Sequence, residues 1–118
     1  MCLDIKDSKI DLVYNKKYGY KIFQKSNTGS IVGQYFLRYY KIGEWNKAPK
    51  IKLKDYMRNL YEGGFHILHS LEDAKKWKKC YNHLYIFKIE FRNVVATGKQ
   101  RGLKIIVARE MKILKEVK

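Results

Sequence analysis

From Tyr85 onward the chain alternates with a period of two: Tyr85, Phe87, Ile89 and Phe91 are interleaved with Ile86, Lys88, Glu90 and Arg92. A strand sends successive side chains to opposite faces, so this pattern sets one face on an apolar core and leaves the other mixed. Val94-Val95-Ala96 continues the run, Thr97 to Gly102 supplies turn residues, and Leu103 to Leu114 is a second long apolar stretch. The prediction is a long C-terminal β-hairpin. Its core-facing side needs a covering element, which constrains every other part of the chain.

That cover is predicted at Ser70-Leu71-Glu72-Asp73. Ser70 can accept a backbone N–H of a first helical turn, and Glu72 and Asp73 sit at the positive end of the helix dipole. Asp73 also stands where a capping box carries Glu or Gln. Lys75, Lys76, Lys78 and Lys79 follow toward the C-terminal end, while Leu71, Ala74, Trp77 and Tyr81 form an inward stripe at helical spacing. The spacing predicts one main helix near 70–81. Upstream, Tyr18 to Lys25 reads as a strand, Ser26-Asn27-Thr28-Gly29-Ser30 as a turn, and Ile31 to Tyr40 as the return strand of an N-terminal hairpin ended by Gly43. Asp55 to Tyr61 reads as a short helical turn before Gly63-Gly64. A short strand then leads into the helix. The fold class expected is α+β: an antiparallel sheet made of the N-terminal hairpin, the short strand and the long C-terminal hairpin, packed against the one helix.

Nothing in the composition divides the chain. At 118 residues, with Pro49 its only proline and no Gly/Ser-rich linker, residues 1–118 are expected to form a single domain. An apolar content of 46% separates it from disordered tails. No signal-peptide pattern opens the sequence and no apolar run approaches the length of a spanning helix, so a cytoplasmic protein is expected, with Cys2 and Cys80 as reduced thiols.

Charge narrows the partner. Twenty-six Lys and Arg oppose eleven Asp and Glu, a formal +15, where dispersion in water asks for a net charge of only about 2 to 8. The surplus is densest over residues 14–60, with eleven basic and two acidic residues. Around Pro49, Lys47, Lys50, Lys52 and Lys54 stand near-alternate and are followed by Arg58. In extended backbone, Lys50, Lys52 and Lys54 project to one side and Ile51 and Leu53 to the other, a basic ridge with an apolar underside. Such a field suits nucleic acid, a nucleoprotein complex or an acidic protein. The ridge, with Lys75, Lys76, Lys78, Lys79, Arg101 and Lys104, would contact phosphates, and Trp45 or an exposed Tyr would stack on a base. Lys greatly outnumbers Arg, which favours point-charge contact with a backbone over bidentate base readout. The competing reading is a solvated, lysine-rich face.

Several segments together resemble an uncharacterised group of small proteins encoded by phages and other mobile elements: Met1-Cys2-Leu3; Tyr20-Lys21-Ile22-Phe23; Gly64-Phe65-His66 leading into Ser70-Leu71-Glu72-Asp73-Ala74; Val94-Val95-Ala96-Thr97-Gly98; and Ile106 to Leu114. The match is fairly continuous over the second half and fragmentary over the first. What it implies is a shared fold and a context, action on host machinery including defence systems such as CRISPR complexes, and no particular reaction.

Three chemical motifs compete with the basic surface. His66-x-x-His69 and Cys80-x-x-His83 carry four potential zinc ligands, although an offset of three in extended backbone sends His66 and His69 to opposite faces. His66 after Gly63-Gly64-Phe65 could act as acid or base at a pocket mouth, oriented by Glu62, Glu90 or Tyr39, which would make the chain a small enzyme acting on a nucleotide or its conjugate. No nucleophile at a fixed spacing accompanies it, so no catalytic set is assigned and a strand histidine packed beside Phe65 is the default. Gly98-x-x-x-Gly102 lies between two strands and reads as a hairpin turn before a phosphate cradle. The Tyr35, Phe36, Tyr39 and Tyr40 stripe reads as sheet core. No cofactor is implied, and the oligomeric state is left open.

Overall fold

A computed structural model describes residues 3–7, 17–33, 39–79 and 83–118. The chain runs through β1 (Ile5–Lys6), β2 (Tyr18–Lys25), β3 (Ile31–Gly33), β4 (Tyr39–Tyr40), β5 (Trp45–Lys47), β6 (Lys52–Lys54), β7 (Leu60–Glu62), β8 (Phe65–Leu68), α1 (Leu71–Lys78), β9 (Tyr85–Gln100) and β10 (Leu103–Val117). All strand pairings among them are antiparallel. The sheet dominates, and α1 is the one helix of the described residues.

The long hairpin is as the alternation demands, with one adjustment at its turn. Thr97 to Gln100 remain in β9, and only Arg101 and Gly102, at φ 52 and 75, make the turn. Two residues of positive φ give the type I′ geometry whose twist matches that of the flanking strands. β1 lies along this end, Ile5 opposite Lys99 and Lys6 opposite Gly98, and holds it extended.

Register shifts mark β9 and β10 in two places: Val107 faces Ala96 but Ala108 faces Val94, and Ile113 faces Ile89 but Lys115 faces Lys88. Each shift is a bulge, and bulges bend and twist a hairpin. Asn93, left-handed at φ 60, resets the alternation so that Phe91 and Val94 both pack into one cluster. The bent hairpin closes a ring. β9 pairs β10, β10 pairs β8, β8 pairs β2, and β2 pairs β9 again.

Neighbouring residues along the ring strands divide between two apolar clusters. Phe23, Ile67, Phe87, Ile89, Ile106 and Met111 belong to the first, which lies inside the ring, where Ile31, Tyr40 and Ala48 add to it. Ile22, Leu68, Ile86, Ile105 and Val107 belong to the second, on the outer face, which α1 covers with Ala74 and Trp77 and to which Leu3 and Tyr61 add. Rings meet edge to face inside, Phe23 with Tyr40 and with Phe87, centroids 5.5 Å apart in both pairs.

Ring closure is narrowest between β2 and β8, which share one residue pair, Tyr20 opposite Leu68. Gly19 makes this approach possible. A Cβ there would stand 2.5 Å from Ile67 Cγ2 and 2.8 Å from the Leu68 carbonyl oxygen, and a backbone oxygen cannot step aside.

The helix starts where predicted. Ser70 is extended and its hydroxyl accepts the Asp73 N–H at 3.1 Å. Leu71 is half-buried, Ala74 and Trp77 are buried, and Tyr81 lies outside the described residues, as does Cys80. The N-terminal hairpin is present as β2 and β3, with β4 pairing β3; residues 34–38, including Tyr35 and Phe36, lie outside the described residues. Within the stripe, Tyr40 is core whereas Tyr39 is 70% exposed.

Asp55 to Tyr61 is not a helical turn. It is the tight turn of a second hairpin, β6 with β7, for a reason that lies far away in sequence. The buried Asp55 carboxylate accepts the Asn59 N–H at 2.8 Å and the Lys6 N–H of β1 at 2.8 Å, while Arg58 turns left-handed at φ 64. A carboxylate bonded to its own backbone diverts the chain from helix into a turn. No helix among the described residues is long and apolar enough to cross a membrane.

Two substitutions test this architecture. Gly19→Ala should cost about 1–3 kcal/mol, the usual penalty of overpacking a rigid site, read as a lower urea midpoint. Trp77→Ala, which removes a ring only 3% exposed, should cost about 3–5 kcal/mol. Ser70→Ala should cost about 1 kcal/mol. Wild-type stability in any of the three would show that the seam, the anchor or the cap is misassigned.

Candidate polyanion interface

The β6–β7 hairpin turns the lysine alternation into a shape. Leu53 lies opposite Tyr61, and both face the outer cluster, Leu53 half-buried and Tyr61 buried. Lys52 and Lys54, opposite Glu62 and Leu60, therefore point to solvent. Lys50 and Arg58 are exposed too. Ile51 departs from the expected underside, being 38% exposed at the hairpin's base beside Gly63. None of Lys50, Lys52, Lys54 and Arg58 stands within ion-pair distance of a carboxylate among the described residues.

The hairpin is fastened at both ends. Arg109 of β10 donates to the carbonyls of Ala48 at 2.8 Å, Pro49 at 3.1 Å and Gly63 at 3.5 Å, which clamps its base and floors a cleft of about 420 Å³ bordered by Lys50, Lys52 and Glu62. At the tip, burial of Asp55 would raise its carboxyl, but the Lys6 and Asn59 N–H groups outweigh that and hold it below the usual carboxylate range. Tyr56 donates its N–H to the Asp4 carbonyl at 2.9 Å, and Lys6 Nζ donates to the Leu60 carbonyl at 3.2 Å.

A second set of cations sits on α1, which covers the same outer cluster. Lys75, Lys76 and Lys79 are exposed and Lys78 half-buried. Lys76 lies 3.9 Å from Glu72 one turn back, an exposed pair that contributes little. Lys75, Lys78 and Lys79, with Lys118, rim a cleft of about 540 Å³ over Tyr85 and Ile86. Arg101 reaches this group through Trp77, its guanidinium 5.0 Å from the ring centroid. Lys104 is exposed near the turn of the long hairpin, opposite Lys99.

Trp45 and Lys47 stand apart on β5, which pairs with the other half of β10. The Trp45 ring is already occupied: Arg92 lies 3.8 Å and Lys112 4.9 Å from its centroid. Arg92 in turn bonds Glu110 at 3.0 Å, which holds that carboxyl below the usual range against its burial, and Asn93 Nδ2 bonds the same carboxylate. A base stacking on Trp45 would have to displace a guanidinium already paired. The exposed aromatic ring of the basic region is instead Tyr56 at the hairpin tip, 84% exposed, followed by Met57 at 68%. The sequence reading allowed for an exposed Tyr without singling out this one, because a helical reading of 55–61 hid the turn that displays Tyr56 and Met57. Asp55 and Asn59, at the two ends of a five-residue segment, were the signal that could have found it.

His66 has a different role from the one its surroundings in sequence suggested. It is 5% exposed. Nδ1 donates to the Gly64 carbonyl at 3.2 Å, which leaves Nε2 to accept the Tyr61 hydroxyl at 3.3 Å, and that hydroxyl accepts the Leu3 N–H at 2.8 Å. The orienting groups are thus Tyr61 and Gly64 rather than Glu62, Glu90 or Tyr39, and His66 lines neither of the two clefts. Burial, then the nearby Lys21 charge, pushes its pKa down to about 3. Lys21 itself donates to the His66 carbonyl at 2.8 Å, its enclosed ammonium lowered by burial to about 8. Both ring nitrogens serve internal partners, and the ring is held neutral. Among the described residues no group of three or more His, Cys, Asp and Glu side chains could hold a metal ion; His69 follows β8, His83 precedes β9, and Cys80 lies outside those residues. Gly98 and Gly102 belong to the hairpin, as their sequence position indicated.

No known protein family, curated protein or solved structure matches the chain.

The neutral His66 makes stability depend on pH. Below its ordinary pKa of 6.5 the unfolded chain binds a proton that the native chain refuses until about pH 3, so its contribution is present above pH 6.5 and is lost as pH falls. Stability should decline across that window by up to about 1.4 kcal/mol per pH unit. His66→Gln, which keeps a donor and an acceptor, should flatten the decline in denaturation series from pH 7 to 4, and an unchanged slope would show that His66 already titrates near its ordinary pKa in the fold.

Proposed function

We propose that the chain is a small basic binding protein of the phage or mobile-element type that engages nucleic acid, or a nucleoprotein complex of the host, through its lysine faces. What carries the reading is the β6–β7 hairpin: four exposed cations without carboxylate partners among the described residues, on an element fastened at base and tip. A charge excess held on a rigid projection is available to a partner, whereas one neutralised by internal pairs is not. Lysine contact with a phosphate backbone is sequence-independent and releases counterions, so affinity falls steeply with salt. The resemblance of the Gly64-Phe65-His66, Ser70 to Ala74 and Ile106 to Leu114 segments to phage-encoded proteins adds the context of inhibition of a host defence effector, such as a CRISPR complex, in the host cytoplasm.

The test combines charge and salt. Lys50, Lys52 and Lys54 replaced together by Glu should leave the fold intact, since exposed substitutions usually stay within about 0.5 kcal/mol each, and should abolish binding to DNA and RNA in titrations at 50 to 200 mM salt. Undiminished affinity in the triple variant would reduce the ridge to a solvated face. Binding to neither DNA nor RNA, with capture of an acidic protein from nuclease-treated lysate, would move the reading to a protein-only partner.

A further inference from the structure

We propose that the tip of the β6–β7 hairpin is a stacking site for an unpaired base, so that the nucleic acid engaged is a single strand whose backbone follows the Lys50-Lys52-Lys54 ridge and whose base lies on Tyr56. The inference rests on the nucleic-acid reading above and sharpens it to one substrate class and one residue.

Three observations carry it. Tyr56 is 84% exposed, although a large aromatic ring on a buried-core protein has every energetic reason to turn inward. Its position is fixed from beneath: the Tyr56 N–H donates to Asp4, Asp55 binds the N–H groups of Lys6 and Asn59, and the Arg58 N–H returns to the Asp55 carbonyl at 3.0 Å. The ring is therefore displayed on a rigid turn, which lowers the ordering cost of binding. The cations beside it form a single row. Strand geometry sets Lys52 and Lys54 about 6.6 Å apart, of the order of one nucleotide step in an extended strand, and such a row tracks one backbone while an aromatic face accepts any base.

A duplex fits less well, because its bases offer no face to the ring until they are unstacked or flipped out. An anionic bilayer also fits less well. Met57 and Leu60 would suit lipid, but Arg58 lies between them, φ 64 in the turn, and Lys54 pairs directly across from Leu60, so inserting the tip would bury both charges.

The experiment measures fluorescence anisotropy of a labelled mixed-sequence single-stranded oligonucleotide and of its duplex, with anionic phosphatidylserine vesicles as a third probe. The wild-type chain should bind the single strand more tightly than the duplex. Tyr56→Ala should weaken the single-strand complex by on the order of tenfold without changing the slope of log affinity against log salt, since no phosphate contact is lost. Tyr56→Phe should restore the affinity, because the ring and not the hydroxyl does the stacking. Equal affinity for single strand and duplex, or a Tyr56→Ala variant that binds like wild type, would overturn the stacking site and leave the wider nucleic-acid reading standing. Binding to vesicles but to neither nucleic acid would overturn both.

Discussion

The approach of β2 to β8 is the constraint on which the rest of the structure depends. One residue pair, Tyr20 with Leu68, closes a ring of four strands, and on either side of it the chain uses a different device. Gly19 removes a side chain where Ile67 and the Leu68 carbonyl come too near. Lys21 extends its ammonium to the His66 carbonyl, which satisfies an acceptor where the strand ladder has ended. If the seam parted, Phe23, Ile67 and Phe87 inside would meet water and α1 would lose the outer surface it covers. Burying an ammonium is unfavourable and lowers the Lys21 pKa, a cost offset by its bond to the His66 carbonyl.

The same seam joins the proposed interface to the core. The Leu3 N–H donates to the Tyr61 hydroxyl, that hydroxyl donates to His66 Nε2, and the Lys21 ammonium donates to the His66 carbonyl. Tyr61 belongs to the strand opposite the lysine ridge, so the hairpin that presents the cations is attached through buried polar atoms as well as through Leu53 packing. A buried hydrogen-bond network of this kind rigidifies the attachment of the hairpin to the core. The exposed cations are thereby held on a frame tied to the core by hydrogen bonds.

The elements most legible in the sequence were those whose signals are local. The alternation from Tyr85 and the Ser70 cap with its helical stripe each report a residue's neighbours in sequence, and the long hairpin and α1 follow them. The ridge at Lys50 to Lys54 was legible for the same reason, since period two alone sends Leu53 inward. What was not legible depends on distant groups. Asp55 makes a turn instead of a helix with the help of the Lys6 N–H, forty-nine residues away. His66 finds Tyr61 rather than a carboxylate because β7 and β8 bring the two rings together across Gly63-Gly64. Trp45 is withdrawn from display by Arg92 and Lys112 of strands remote in sequence. Ring closure itself leaves no periodic trace, because a bulge at Val95 looks in sequence like any other valine.

The two-residue turn at Arg101-Gly102 has a consequence for the order in which the molecule assembles. It pairs the two strands along most of their length, through two bulges, so the long hairpin is built of pairs closer in sequence than those that join β2 to it, at a smaller loop-closure entropy. β2 and β8 join it from the opposite situation, β2 pairing with residues more than sixty positions downstream. A nascent or refolding chain thus has a template in its C-terminal third before the N-terminal strands have a surface to dock on. The seam between β2 and β8, held by one residue pair, is the joint of the ring with the fewest strand pairings.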